Sequence, residues 1–103
     1  MTKRLINKSK QNSEETKPLE IILFKKGGET SANIIDKLLN RPYNLNQLAN
    51  VLNISYNTVD YHIKIMMKYD LVEKKGENYG TLYEATSKLL DNVETFNYLK
   101  ELL

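Results

Sequence analysis

The strongest pattern of apolar and polar positions lies between Asn44 and Tyr69, NLNQLANVLNISYNTVDYHIKIMMKY. Leu45, Leu48, Ala49 and Leu52 recur at helical spacing and form one inner stripe. Val59, Ile63, Met66 and Met67 form a second. Asn44 suits the N-cap of the first helix, and Gln47 three residues on completes a capping box. Asn53 falls where the turn needs a left-handed backbone, which Asn tolerates better than any residue except Gly. Ile54 plugs the turn, and Ser55 caps a second helix running from Tyr56 to about Lys68. Two short helices joined by about four residues are the layout of a helix-turn-helix.

The flanks extend this unit. Ile34, Ile35, Leu38 and Leu39 predict a helix over Ser31–Leu39, capped by Thr30 or Ser31 and ended by Pro42. Upstream, Pro18 can open a short helix with Leu19, Ile22 and Leu23 on one face, stopped by Gly27-Gly28. A strand over Ile21–Phe24 is the competing reading, because the run is too short for periodicity to decide. Downstream, Leu71–Lys75 and Thr81–Thr86 are β-prone runs around a Gly/Asn turn, which predicts a hairpin. Such a hairpin after a helix-turn-helix is a wing. Leu71 and Leu82, with Val72 as a further candidate, would seal it onto the helices. Ser87 can cap a last helix, Lys88–Leu103, whose Leu89, Val93, Phe96, Leu99 and Leu103 recur every three to four residues. This seam is long for so small a domain and must bury itself on the domain, on a second copy, or on both. Dimerisation is the favoured use.

The fold class expected is mostly α with a small β-hairpin: a winged helix-turn-helix with an added C-terminal helix. The organisation is a disordered basic arm over 1–17, the winged domain over 18–87, and a dimerisation helix over 88–103. The arm is a solubilising tail or a strip for the DNA backbone or minor groove through Lys3, Arg4, Lys8 and Lys10.

Composition narrows the chemistry. The 103 residues suffice for one domain. There is no Cys and a single His, which excludes a disulfide framework, a thiolate metal site, a cysteine nucleophile and a conventional zinc site. No metal or other cofactor is expected. No apolar run approaches the ~20 residues that span a bilayer, and the N-terminus lacks the apolar core of a secretory signal. The expected compartment is the cytoplasm, without a membrane partner. No nucleophile–base pair or phosphate loop suggests an enzyme. Charge is uneven. Met1–Gly28 holds seven Lys/Arg against three Glu, a net of +4, whereas Glu29–Ser87 holds six basic and seven acidic residues, a net of −1. Phosphate attraction must therefore come from local patches and the arm.

The stretches RPYNLNQLANVLNISYNTVDYHIKIMMKYDLVEKKG and YGTLYEAT together resemble the winged helix-turn-helix family of ArsR type, in particular its small archaeal regulators. The match is carried by Leu48-Ala49 and Leu52, then Ser55, Thr58, Val59, His62, Ile63 and Met66, then Asp70-Leu71-Val72. It covers about Thr30 to Thr86. Three departures stand out. Asn53 occupies a turn position where the family often carries Gly. Asp60 places an acid on the outer face of the second helix. The cysteine site of the thiolate metal sensors is absent, so derepression by that route is not available.

The resemblance implies sequence-specific binding of double-stranded DNA as a homodimeric transcriptional regulator. The recognition helix, about 55–68, would enter the major groove, and the wing, about 71–86, would lie on the backbone or minor groove. Asn57 can make a bidentate contact to adenine, and Lys64 can reach guanine or phosphate. Ser55, Tyr56, Thr58 and Tyr61 offer hydroxyls. Lys74, Lys75, Asn78 and Tyr79 fall on the wing, where one of the two lysines can equally be a solvated edge charge. The outer residues of the helix can equally be simple solvated positions. His62 reads best as a packed, hydrogen-bonded side chain, with a pH-switch role as the sharper alternative. The dimer interface expected is Leu89, Val93, Phe96, Leu99 and Leu103, which would set two recognition helices about 34 Å apart. No small-molecule effector is evident. The alternative from another class is a winged-helix protein–protein interaction module without base reading, favoured by the net charge of −1 over the folded part.

Overall fold

A computed structural model describes residues 17–77 and 80–103. The proposed DNA contacts Lys3, Arg4, Lys8, Lys10, Asn78 and Tyr79 lie outside the described residues. The described elements are α1 (Lys17–Leu23), α2 (Gly28–Asn40), α3 (Leu45–Leu52), α4 (Tyr56–Lys68), β1 (Val72–Lys75), β2 (Leu82–Ala85), α5 (Ser87–Asp91) and α6 (Val93–Lys100). None of the described helices is long and apolar enough to cross a membrane.

The segment after Pro18 is a helix, not a strand. Leu19, Ile22 and Leu23 are buried on one face of α1. The turn that follows differs from expectation. The next helix begins at Gly28 rather than Ser31, and its N-cap is Gly27 in the left-handed region at φ 87°. Neither Thr30 nor Ser31 caps it. Gly28 permits this early start because a Cβ there would stand 1.9 Å from the Leu23 carbonyl oxygen. The end of α1 and the start of α2 therefore touch backbone to backbone. Ser31 becomes an interior residue, buried and hydrogen-bonded to His62.

The helix-turn-helix forms as its caps dictate. Asn44 Oδ1 accepts from the Gln47 amide at 2.7 Å, and Gln47 Oε1 accepts from the Asn44 amide at 3.0 Å. Asn53 adopts φ 58°, ψ 47°. Ser55 Oγ accepts from the Thr58 amide at 3.0 Å. Leu45, Leu48 and Ala49 of α3 face Val59, Ile63 and Met66 of α4 in one continuous core.

The wing is an antiparallel pair with Val72 opposite Ala85 and Lys75 opposite Leu82. Its register corrects one expectation. Val72 and Tyr83 are buried, whereas Leu82 is only half-buried. Side chains alternate faces along a strand, so seating Tyr83 inward turns Leu82 outward. Tyr43 adds a third, one-residue rung: its amide donates to the Tyr83 carbonyl at 3.0 Å, and its carbonyl accepts from the Tyr83 amide at 2.8 Å. The wing is thereby stitched to the connection between α2 and α3.

The C-terminal segment is not one helix. Thr86, not Ser87, is the cap: Thr86 Oγ1 accepts from the Leu89 amide at 3.2 Å and donates to the Asp70 carbonyl at 2.8 Å. That second bond ties the segment to Asp70, which turns the chain at φ 62°. The helix then breaks at Asn92, whose buried amide donates to the Lys88 carbonyl at 2.8 Å and competes with the helical ladder. Leu89, Phe96 and Leu99 are buried in the chain's own core. Lys100 clamps the end with paired contacts to Asp36 of α2 at 3.0 and 3.1 Å.

Gly28→Ala should destabilise the domain by at least about 2 kcal/mol, because the blocking atom is backbone and cannot rotate away. Urea unfolding checks this, and an unchanged midpoint would contradict the close approach of α1 and α2.

Candidate nucleic-acid interface

Burying Val59, His62, Ile63 and Met66 fixes which way the rest of α4 points. Tyr56, Asn57, Tyr61 and Lys64 are exposed, with Tyr61 at 59% the most open aromatic on the helix, and Asp60 is partly covered. The residues proposed from sequence thus share one open face, with two qualifications. Ser55 and Thr58 are hydrogen-bonded to each other, Oγ to Oγ1 at 2.8 Å. Their hydroxyls serve the cap first. Lys64 Nζ lies 3.0 Å from Asp60 Oδ2 one turn away. The Asp60 carboxylate, by hydrogen bond and charge, raises the Lys64 pKa, and both groups remain open to solvent. Such a surface pair is easily exchanged for another partner.

The two wing lysines separate. In the register, Lys74 stands opposite Tyr83 and shares its face, which is turned toward the helices. Lys75 points the other way and reaches Glu84 at 3.9 Å. That contact offsets a like-charge pair, since Glu73 and Glu84 stand directly opposite.

Between the start of α3, the start of α4 and the wing lies a polar groove of about 350 Å³, walled by Asn44, Asn46, Tyr56, Lys74, Thr81 and Tyr83. Tyr83, Asn46 and Thr81 are not among the DNA contacts expected from sequence. Burial, then the charge of Asp60, raises the Tyr83 pKa. Its ring end therefore lies within electrostatic reach of the outer face of α4.

The proposed dimer residues divide as well. Leu89, Phe96 and Leu99 are buried within the chain, Val93 is half-buried and Leu103 is exposed. The large apolar side chains left outward on the terminal elements are Ile21, Leu90, Tyr98 and Leu102, with Phe24 beside α1.

His62 holds the inner face of α4 to α2. It is 7% exposed, its Nδ1 is 3.2 Å from Ser31 Oγ, and its ring meets Tyr61 edge-on at 5.3 Å. The packed, hydrogen-bonded reading is the one observed.

The family model for the bacterial regulatory proteins of the arsR family matches residues 28–74, from the start of α2 into β1. That stretch is just under half of the chain and, together with the wing, supports the assignment of the fold. The fold is an ArsR-like winged helix-turn-helix. Among solved structures, the chain is similar to the adhesin competence repressor of Streptococcus pyogenes, with a TM-score of 0.53 and 23% identity over 99% of this chain and 78% of that one. At that identity the likeness concerns the fold. No curated protein matches. The match to a family of regulatory proteins, on a winged-helix fold, supports a DNA-binding transcriptional regulator.

Burial, then nearby Lys25, lowers the His62 pKa below its usual 6.5. The unfolded chain therefore takes up the proton first. Stability from this group is complete above about pH 6.5 and is lost as the pH falls below it. The thermal midpoint should drop between about pH 7 and pH 5, and His62→Gln should flatten that part of the profile. Equal slopes in both proteins would show that His62 is not desolvated as described.

Proposed function

We propose that the protein is a homodimeric transcriptional regulator that reads double-stranded DNA. The α4 segment, with its Ser55 cap, acts as recognition helix in the major groove, and the wing lies against the backbone or minor groove. The observation that carries this is the open face of α4. It gathers Tyr56, Asn57, Tyr61 and Lys64 on a helix whose other side is locked into the core. Asn57 suits adenine, and Lys64, once exchanged from Asp60, suits guanine or phosphate. Asp60 then becomes free to accept from cytosine N4. Lys74 faces the same groove as Tyr56.

Two copies would supply the affinity that a nearly neutral domain lacks. Because Leu89, Phe96 and Leu99 already serve the monomer core, the interface we propose uses the outward residues Ile21, Phe24, Leu90, Tyr98 and Leu102, with Leu103. A two-fold pair of this kind calls for a roughly palindromic site with half-sites about 34 Å apart.

Binding to random-sequence duplex DNA, measured against salt alongside solution mass, tests both parts. The expected result is a dimer whose log affinity falls linearly with log salt, with a slope of several released counterions. A clean dimer that ignores duplex DNA at low salt would instead favour the protein-interaction module.

A further inference from the structure

We infer that Asp60 and Lys64 together read a single G·C base pair in the major groove, Lys64 on guanine and Asp60 on cytosine, and that Asp60 is the residue that rejects other pairs. The inference deepens the DNA-binding reading above and rests on it.

Asp60 is the one acid in α4. Asn57, Asp60, Tyr61 and Lys64 follow one another at i, i+3, i+4 and i+7, a single stripe along the helix. A pose that brings Asn57 and Tyr61 to base edges therefore brings the carboxylate there as well. Between two phosphate strands, facing edges made mostly of acceptors, a carboxylate is repelled. The described body carries balanced signs and has no surplus of positive charge to offset this. An acid in this place costs affinity for DNA in general, and what it can return is a choice of sequence.

Two donors in the major groove relieve the repulsion, cytosine N4 and adenine N6. Lys64 decides between them. Its Nζ stands 3.0 Å from Asp60 Oδ2. In a G·C pair guanine O6 accepts from cytosine N4, so those two atoms lie about 2.9 Å apart. The spacing of the ion pair matches the spacing across the base pair, with donor set against acceptor at both positions. Lys64 trades the carboxylate for guanine O6 and N7, and Asp60 trades the ammonium for the N4 hydrogen that faces the groove. Neither atom has to travel far, and a surface pair of this kind exchanges readily. An A·T pair offers the carboxylate adenine N6, but the ammonium then finds a single acceptor instead of two adjacent ones. A reversed C·G pair sets the carboxylate against guanine O6. Exposure fits the two roles: 73% of the Lys64 side chain is open, whereas Asp60, at 31%, is held closer to the helix. One base pair per half-site does not define a site alone, so the pair refines the preference that Asn57 and Tyr61 set.

The test runs site selection from a randomised duplex pool with the full chain and with Asp60→Ala. The parent motif should hold one G·C pair per half-site that the variant motif lacks. Changing that pair, or placing N4-methylcytosine there to block the groove-facing hydrogen, should weaken the parent about tenfold and Asp60→Ala by less than about twofold. N4-methylcytosine tests the contact on the unaltered protein, whatever the variant's stability. Lys64→Gln should be indifferent to 7-deazaguanine at the same position, which removes the N7 acceptor and weakens the parent. Asp60→Ala should also bind random-sequence duplex more tightly than the parent, because a charge that repels phosphate is gone. The same motif from both proteins, a differing position that is A·T, or a parent indifferent to N4-methylcytosine overturns the inference and leaves the DNA reading standing. Asp60→Ala binding random-sequence duplex no more tightly than the parent overturns the rejecting role. A parent that ignores duplex DNA at low salt overturns both readings.

Discussion

The structure depends on the burial of one face of α4. Val59, Ile63 and Met66 are almost wholly removed from water, and they touch the stripes of α2 and α3 and the root of the wing in a single core. A helix held this way has no freedom to rotate. Its outward residues are therefore fixed in direction by apolar packing, not by contacts of their own. His62 sharpens the constraint, because its bond to Ser31 adds a polar register mark inside an otherwise apolar contact. A turn of α4 by one residue would break that bond and bury Tyr61 or Lys64 in its place. The same packing that stabilises the domain thus aims the surface proposed to read DNA.

Charge acts on a shorter range. The described body carries balanced signs, and part of its charge is engaged in pairs: Asp60 with Lys64, Glu84 with Lys75, Asp36 with Lys100. Exposed pairs of this kind contribute little to stability, but they decide which cations remain available to an anion. Among the described residues Lys74 has no ion-pair partner, and it lines the groove beside Tyr56, Thr81 and Tyr83. A winged helix of this make-up would hold DNA through a few directed contacts repeated in two copies rather than through a basic surface.

Features set by neighbouring residues were legible in the sequence. The Asn44–Gln47 box, the left-handed Asn53, the Ser55 cap and the hairpin all follow from side-chain chemistry within three or four positions. What was not legible depends on contacts distant in sequence. The rung between Tyr43 and Tyr83 is a single residue long and leaves no periodic trace. Leu82 and Tyr83 are adjacent and both apolar, so the pattern alone could not say which faces the core, and a one-residue slip exchanges them. Gly27-Gly28 reads as a helix stop, yet Gly28 is the first residue of α2 because α1 passes too close for a Cβ. In the terminal segment the apolar spacing was right, but spacing cannot tell a core within the chain from a seam between chains. Asn92 breaks the helix and turns Phe96 and Leu99 into the domain itself.

The central claim is that the open face of α4 reads base sequence. Selection of bound sites from a randomised duplex pool tests it most directly, with the parent chain run beside the double variant Asn57→Ala, Tyr61→Ala. The account predicts that the parent enriches a motif with two-fold character. It also predicts that the variant binds duplex DNA but enriches none. The same motif recovered by both proteins would contradict the account, because base reading would then lie elsewhere on the molecule.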